Sequence, residues 1–245
     1  MKVALVTGAA KGIGRATTQA FADDGWNVVA VDREAGALDG LVQRHGDSLV
    51  VIAGDISGRA ANQKVVASAL EHFGRLDAVI GNAGINLEKS IDETTEEEID
   101  GLIAVNFKAL IYLAQAVHGP LAETAGSLTV VASKTGLVAQ LGTPVYNATK
   151  GAAVQLARGL ALDWASENVR VNALCPGVVD TPMLDRFIDS APDPEKARRD
   201  FEQQQPLGRL ATPEECASVA LFLSSPAASF VTGVALPVDG GFTAQ

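Results

Sequence analysis

"KVALVTGAAKGIGRATTQAFADDG", Lys2 to Gly25, decides the fold. It opens as an apolar, β-branched run of strand character and continues with apolar residues at helical spacing. The turn between the two halves, "TGAAKGIG", contributes Gly8, Gly12, Ile13 and Gly14. Glycine lets a backbone approach a pyrophosphate closely, and the first turn of a helix offers unbonded amides to an anion. A glycine cluster alone serves any tight turn; a strand before it and a helix after it make it a dinucleotide loop.

Outward from this unit the pattern repeats. Further strand-like runs are "WNVVAVD", "SLVVIAG", "LDAVIGN", "SLTVVAS" and "VRVNALC", and helical segments such as "KVVASALEHFG" lie between them. Alternating strands and helices predict an α/β fold: a doubly wound, Rossmann-type parallel sheet with helices on both faces. No repeat, low-complexity tract or proline-rich linker divides the chain, so residues 1–245 are expected to form one domain. The rhythm lapses at "DTPMLDRFIDSAPDPEKARRDFEQQQPLGRLATPEE", Asp180 to Glu215. Within it, residues from about Met183 to Gln205 are the expected substrate loop, since long insertions at strand carboxyl ends carry such loops. "TEEE" at Thr95 and "TPEE" at Thr212 have capping-box spacing and predict two helix starts.

Composition limits the function. Nineteen basic and twenty-nine acidic residues give a net charge of −10, which argues against nucleic acid and anionic membranes as partners. The apolar run after Met1 is too short for a signal peptide and no later run reaches spanning length, so a cytoplasmic protein is expected. Cys175 and Cys216, with His45, His72 and His118, show no ligand spacing, and no metal site is predicted.

Candidate chemistry lies in "SKTGLVAQLGTPVYNATK", Ser133 to Lys150. Tyr146 and Lys150 are four residues apart in a helical pattern and share a face. A free phenol, with a pKa of about 10, is a poor base at neutral pH, and a neighbouring ammonium is expected to lower it into the range of a general acid/base. Lys134 is not at helical spacing from Tyr146 and is left out of catalysis. Asn106 interrupts the apolar helix "IDGLIAVNFKALIYLAQAV", where an amide is costly unless hydrogen-bonded. Asp32 ends the second strand, where a carboxylate accepts from adenosine ribose hydroxyls and repels a 2′-phosphate, favouring NAD over NADP. The basic Lys11 and Arg33 are the side chains that could reach a phosphate there.

Taken in order, "TGAAKGIG", "NAG" at Asn82 to Gly84, Asn106, Ser133, "YNATK", "CPG" at Cys175 to Gly177 and "VDGGF" resemble the short-chain dehydrogenase/reductase family over nearly the whole chain. The resemblance implies a catalytic set of Asn106, Ser133, Tyr146 and Lys150. It also implies cofactor contacts from Asp55 and Ile56 at the adenine, from Asn82, Ala83 and Gly84, and from Pro176, Gly177, Val179 and Thr181 along the nicotinamide. In such enzymes Ser133 would bind the reacting oxygen, Lys150 the nicotinamide ribose, and Asn106 a water on the proton path. A homotetramer is implied by the same resemblance.

The expected activity is NAD-dependent interconversion of a secondary alcohol and a ketone, the small-molecule substrate being a polyol, sugar or sugar-acid derivative. Asn86, Thr135, Gln140 and Thr143 are expected to face it, and Arg186, Arg198 and Arg199 are candidates for a carboxylate. The rivals are an NADPH-dependent 3-oxoacyl thioester reductase, opposed by Asp32, and a dinucleotide-sensing protein without turnover, opposed by the intact catalytic set.

Overall fold

In the computed structural model, which describes residues 1–244, the opening stretch folds as read: strand β1 (Val3–Thr7), a glycine turn, and helix α1 (Gly12–Asp23). Strands β2 (Asn27–Asp32), β3 (Leu49–Ala53), β4 (Ala78–Gly81), β5 (Ser127–Val131), β6 (Arg170–Pro176) and β7 (Ala235–Val238) join it in one sheet of order β3-β2-β1-β4-β5-β6-β7. All neighbours are parallel; Leu5 of β1, for example, lies between Val29 of β2 and Val79 of β4.

The short period of strand side chains explains the two covered faces. Val3 and Leu5 point into one apolar cluster, with helices α3 (Arg59–Phe73), α5 (Ala109–Thr124) and α6 (Pro144–Asp163). Ala4 and Val6 point into the other, with α1, the short α2 (Asp39–His45) and α9 (Pro213–Ser224). All four β1 residues are fully buried, and Cys175 and Cys216 are buried on opposite faces. The chain leaves β1 towards β2 and β3, then crosses back to β4, so the strand order reverses beside the glycine turn. In open parallel sheets this reversal leaves a crevice at the strand carboxyl ends.

Both capping boxes are formed. The N–H groups of Glu98 and Glu215 donate to Thr95 and Thr212 Oγ1 at 3.3 Å, and each glutamate accepts from its threonine N–H at 2.8 Å. Three features differ from the sequence reading. The edge strand β7 was not among the runs marked, because it is four residues long and contains Pro237, which an edge strand tolerates. The expected substrate loop is largely helical, as α7 (Pro182–Ser190) and α8 (Pro194–Gln203), each with proline in its first turn. Helix α4 (Glu96–Ile103) runs through a π turn (Ala104–Lys108) into α5, making a continuous helix long and apolar enough to cross a membrane; here its α5 half lies on the sheet.

Candidate active site

The crevice at the strand ends is a cleft of about 320 Å³. Its glycine turn is shaped by contact. Gly8 has φ +64° and Gly12 φ +51°, values that L-residues rarely adopt, and a Cβ on Gly12 would stand 3.0 Å from Thr181. Gly14 faces inward: its Cβ would be 2.0 Å from the Gly8 carbonyl oxygen. Asn82 Nδ2 donates to the carbonyls of Thr7 and Gly8, both at 3.0 Å, while Thr7 Oγ1 accepts from the N–H groups of Asn82 and Ala83 at 3.1 and 3.2 Å. "NAG" therefore locks the glycine turn to the end of β4. The α1 N-terminus has no side-chain cap and no acidic residue in its first turn, so its positive end is left for an anion.

Asp32 takes its orientation from two backbone donors, the N–H groups of Ala10 and Glu34, both at 2.9 Å. Lys11, which lines the cleft with Asp32, pairs with Glu34 at 2.5 Å and is already matched. Gly8, Lys11, Gly12, Ile13, Asp32, Asn82, Ala83, Gly84, Tyr146, Lys150, Pro176, Gly177, Val179 and Thr181 line the cleft as expected. Gly14, Arg33, Asp55 and Ile56 do not. Gly14 packs helix on loop, Arg33 and Asp55 are exposed, and the Ile56 side chain is buried in the core. The shape, the glycine approach and the carboxylate fit a nicotinamide dinucleotide.

At the cleft floor, β5 delivers Ser133 and α6 delivers Tyr146 and Lys150. Lys150 Nζ donates to the Val131 carbonyl at 3.0 Å and lies 5.8 Å from the Tyr146 ring centre. Burial pushes the Lys150 pKa down to about 8 and the Tyr146 pKa up to about 12; at Tyr146 only the Ser133 hydroxyl opposes the rise. This corrects the expectation that Lys150 lowers the tyrosine. Its ammonium is turned onto the Val131 carbonyl, and the contact that lowers Tyr146 comes from the Ser133 hydroxyl.

Asn106 is fully buried inside the π turn, a feature frequent at functional sites. Its Oδ1 accepts from the Ile85 N–H at 2.8 Å, and its Nδ2 donates to the Ile85 carbonyl at 2.9 Å and to Thr149 Oγ1 at 3.2 Å. The amide thus grips the segment after "NAG" as a backbone partner would, and the π turn around it was not legible in sequence because such a turn has no composition of its own.

Of the substrate candidates, Asn86, Thr135, Gln140 and Thr143 line the cleft, with Met183, Arg186, Phe187 and Phe201 from α7 and α8. Arg198 and Arg199 do not; the half-buried Arg198 pairs with Asp180 at 2.9 Å and the exposed Arg199 with Glu195 at 3.5 Å. Sequence reasoning passed over two residues. Glu34 lines the cleft two places after Asp32, which its position could have signalled. Lys134, set aside, is only 2% exposed; its ammonium sits 3.5 Å from the Phe242 ring centre and reaches Gln204 Oε1 at 3.4 Å. It joins the catalytic strand end to the C-terminal turn and α8.

A family model described as enoyl-(acyl carrier protein) reductase matches residues 8–243. The chain is 36% identical to a 3-oxoacyl-[acyl-carrier-protein] reductase of Thermotoga maritima over 98% of its own length and 97% of that protein. It is 35% identical to meso-2,3-butanediol dehydrogenase of Serratia marcescens, covering all of this chain and 95% of the other. Among solved structures, a 3-ketoacyl-(acyl-carrier-protein) reductase of Brucella melitensis complexed with NADH superposes with a TM-score of 0.91 at 34% identity, over 99% and 98% of the two chains.

Proposed function

From the premise that the chain belongs to the short-chain dehydrogenase/reductase family, and so oxidises alcohols or reduces ketones, we propose that it uses NAD(H) and a polyol, sugar or sugar-acid derivative. The observation that carries the reading is the convergence of Ser133, Tyr146 and Lys150 on one cleft with the glycine turn and Asp32. A nicotinamide held in this cleft would supply or take up the hydride, and the protein supplies position and proton control.

Tyr146 handles the proton. As a phenol it gives a proton to the carbonyl oxygen in reduction, and as a phenolate it takes the hydroxyl proton in oxidation. Ser133 hydrogen-bonds the same substrate oxygen and steadies charge that develops there. Lys150 would hold the cofactor ribose, with Asn106 supporting the adjoining wall through Ile85. Asp32, flanked by Glu34, disfavours a 2′-phosphate and so supports NAD. A polar cleft wall of Asn86, Thr135, Gln140 and Thr143 supports a hydroxylated substrate, as does the likeness to a butanediol dehydrogenase. The preference is tested by an absorbance screen of sugars, polyols and hydroxy acids with NAD, repeated with NADP. Near wild-type turnover by Tyr146→Phe refutes the catalytic assignment, and a clear preference for NADPH with 3-oxoacyl thioesters refutes the substrate assignment.

A further inference from the structure

The hydrogen-bond inventory of the cleft wall restricts the substrate further. Ser133 Oγ accepts from the Thr135 N–H at 3.1 Å and from the Thr135 hydroxyl at 3.0 Å. A hydroxyl oxygen has two lone pairs, so both are taken, and Ser133 is left to donate its own proton. The lowering of the Tyr146 pKa by Ser133 agrees with that direction. Thr135 has committed its proton to Ser133 and can only accept from a ligand.

Asn86 lines the same cleft, and its Oδ1 is buried without a hydrogen-bond partner among the described residues. Buried polar atoms of this kind are uncommon and costly, and a ligand donor is one way to satisfy them. The amide is not loosely placed. Asn106 holds both the N–H and the carbonyl of the preceding Ile85, which fixes the backbone on which Asn86 stands. The wall therefore offers donors, Ser133 and protonated Tyr146, to one substrate oxygen, and acceptors, Asn86 Oδ1 and Thr135 Oγ1, to a neighbouring group.

We propose that Asn86 Oδ1 receives a second hydroxyl of the substrate, on the carbon beside the one that reacts, so that the substrate is a vicinal diol or its α-hydroxy ketone. This rests on the alcohol–ketone reading above and narrows it. The second hydroxyl is bound and stays reduced, so one carbinol loses two electrons and two hydrogens to the cofactor and Tyr146, and nothing else changes oxidation state. A 3-oxoacyl thioester places no donor at that carbon and leaves Asn86 unsatisfied.

The test compares kcat/KM for 2,3-butanediol and 2-butanol, which share a carbon skeleton, at saturating NAD, in the wild type, Asn86→Leu and Asn86→Asp. The wild type is expected to favour the diol by about tenfold, the size of one neutral hydrogen bond. Asn86→Leu should bring the ratio close to one, through KM for the diol, and Asn86→Asp, which keeps an acceptor, should retain it. Melting temperatures of the three proteins separate this from a folding defect. Equal use of both alcohols by the wild type, an unchanged ratio in Asn86→Leu, or turnover of neither alcohol overturns the proposal. The wider reading fails on a different result, turnover that survives Tyr146→Phe or oxidation of no alcohol in the full screen.

Discussion

Replacing Gly14 by alanine measures the closeness of helix α1 to the glycine turn. The added Cβ would stand 2.0 Å from the Gly8 carbonyl oxygen and 2.5 Å from Asn82 Nδ2. Neither neighbour gives way readily, since one is backbone and the other is tied to two carbonyls at 3.0 Å. Overpacking of this kind costs about 1–3 kcal/mol. Displacing the turn also weakens the two Asn82 hydrogen bonds, at about 1 kcal/mol each. The sum is about 3–5 kcal/mol, and at about 2–4 °C per kcal/mol for a chain of this size the melting temperature should fall by roughly 6–20 °C. Gly40→Ala provides the contrast: it lies in α2 with nothing within 4 Å of the new Cβ, and should stabilise by about 0.5 kcal/mol. The assay is thermal unfolding followed by circular dichroism, with NADH fluorescence titration to follow the turn itself. A Gly14→Ala protein melting within about 2 °C of the wild type and binding NADH normally would refute the reasoning.

Three further outcomes are expected. Asp32→Ser should raise the ratio of NADP to NAD use in kcat/KM, because it removes the fixed negative charge at the ribose; an unchanged ratio would show that Asp32 does not discriminate. The Lys134 pKa is held near 8, below its ordinary 10.5, by burial, so between those values the unfolded chain binds more protons and stability rises with pH, by up to about 3 kcal/mol. Lys134→Met should therefore show a shallower rise of melting temperature from pH 8 to 10, and a slope equal to the wild type would contradict the burial. With Tyr146 held up near 12, alcohol oxidation should accelerate with pH through the alkaline range while ketone reduction does not, and stopped-flow rates in both directions would show it.

Much of the fold was legible because the deciding signals are local. β-branched runs and glycine positions are set within a few residues, and the face of α6 that carries Tyr146 and Lys150 follows from helical spacing alone. What escaped depends on distance. That Lys150 donates to Val131, that Glu34 pairs with Lys11, and that Lys134 is buried under the C-terminal turn are properties of pairs brought together only by folding. β7 escaped for another reason, since four residues and a proline carry too little strand signal until β6 supplies the hydrogen-bonding edge.

The π turn at Ala104–Lys108 gives one continuous rod two bearings. Each residue of an α-helix turns the chain by about 100°, so one residue accommodated in a widened turn rotates everything beyond it by that amount. Upstream, α4 leans on α6; downstream, α5 leans on α3 and the sheet. The seat of Asn106 on Ile85 is thus encoded here partly as a residue count. A chain one residue shorter between 104 and 108 would regain a regular helix and turn its asparagine away from Ile85, so a gain in regularity and the loss of a clasp on the cleft wall would arrive in the same deletion.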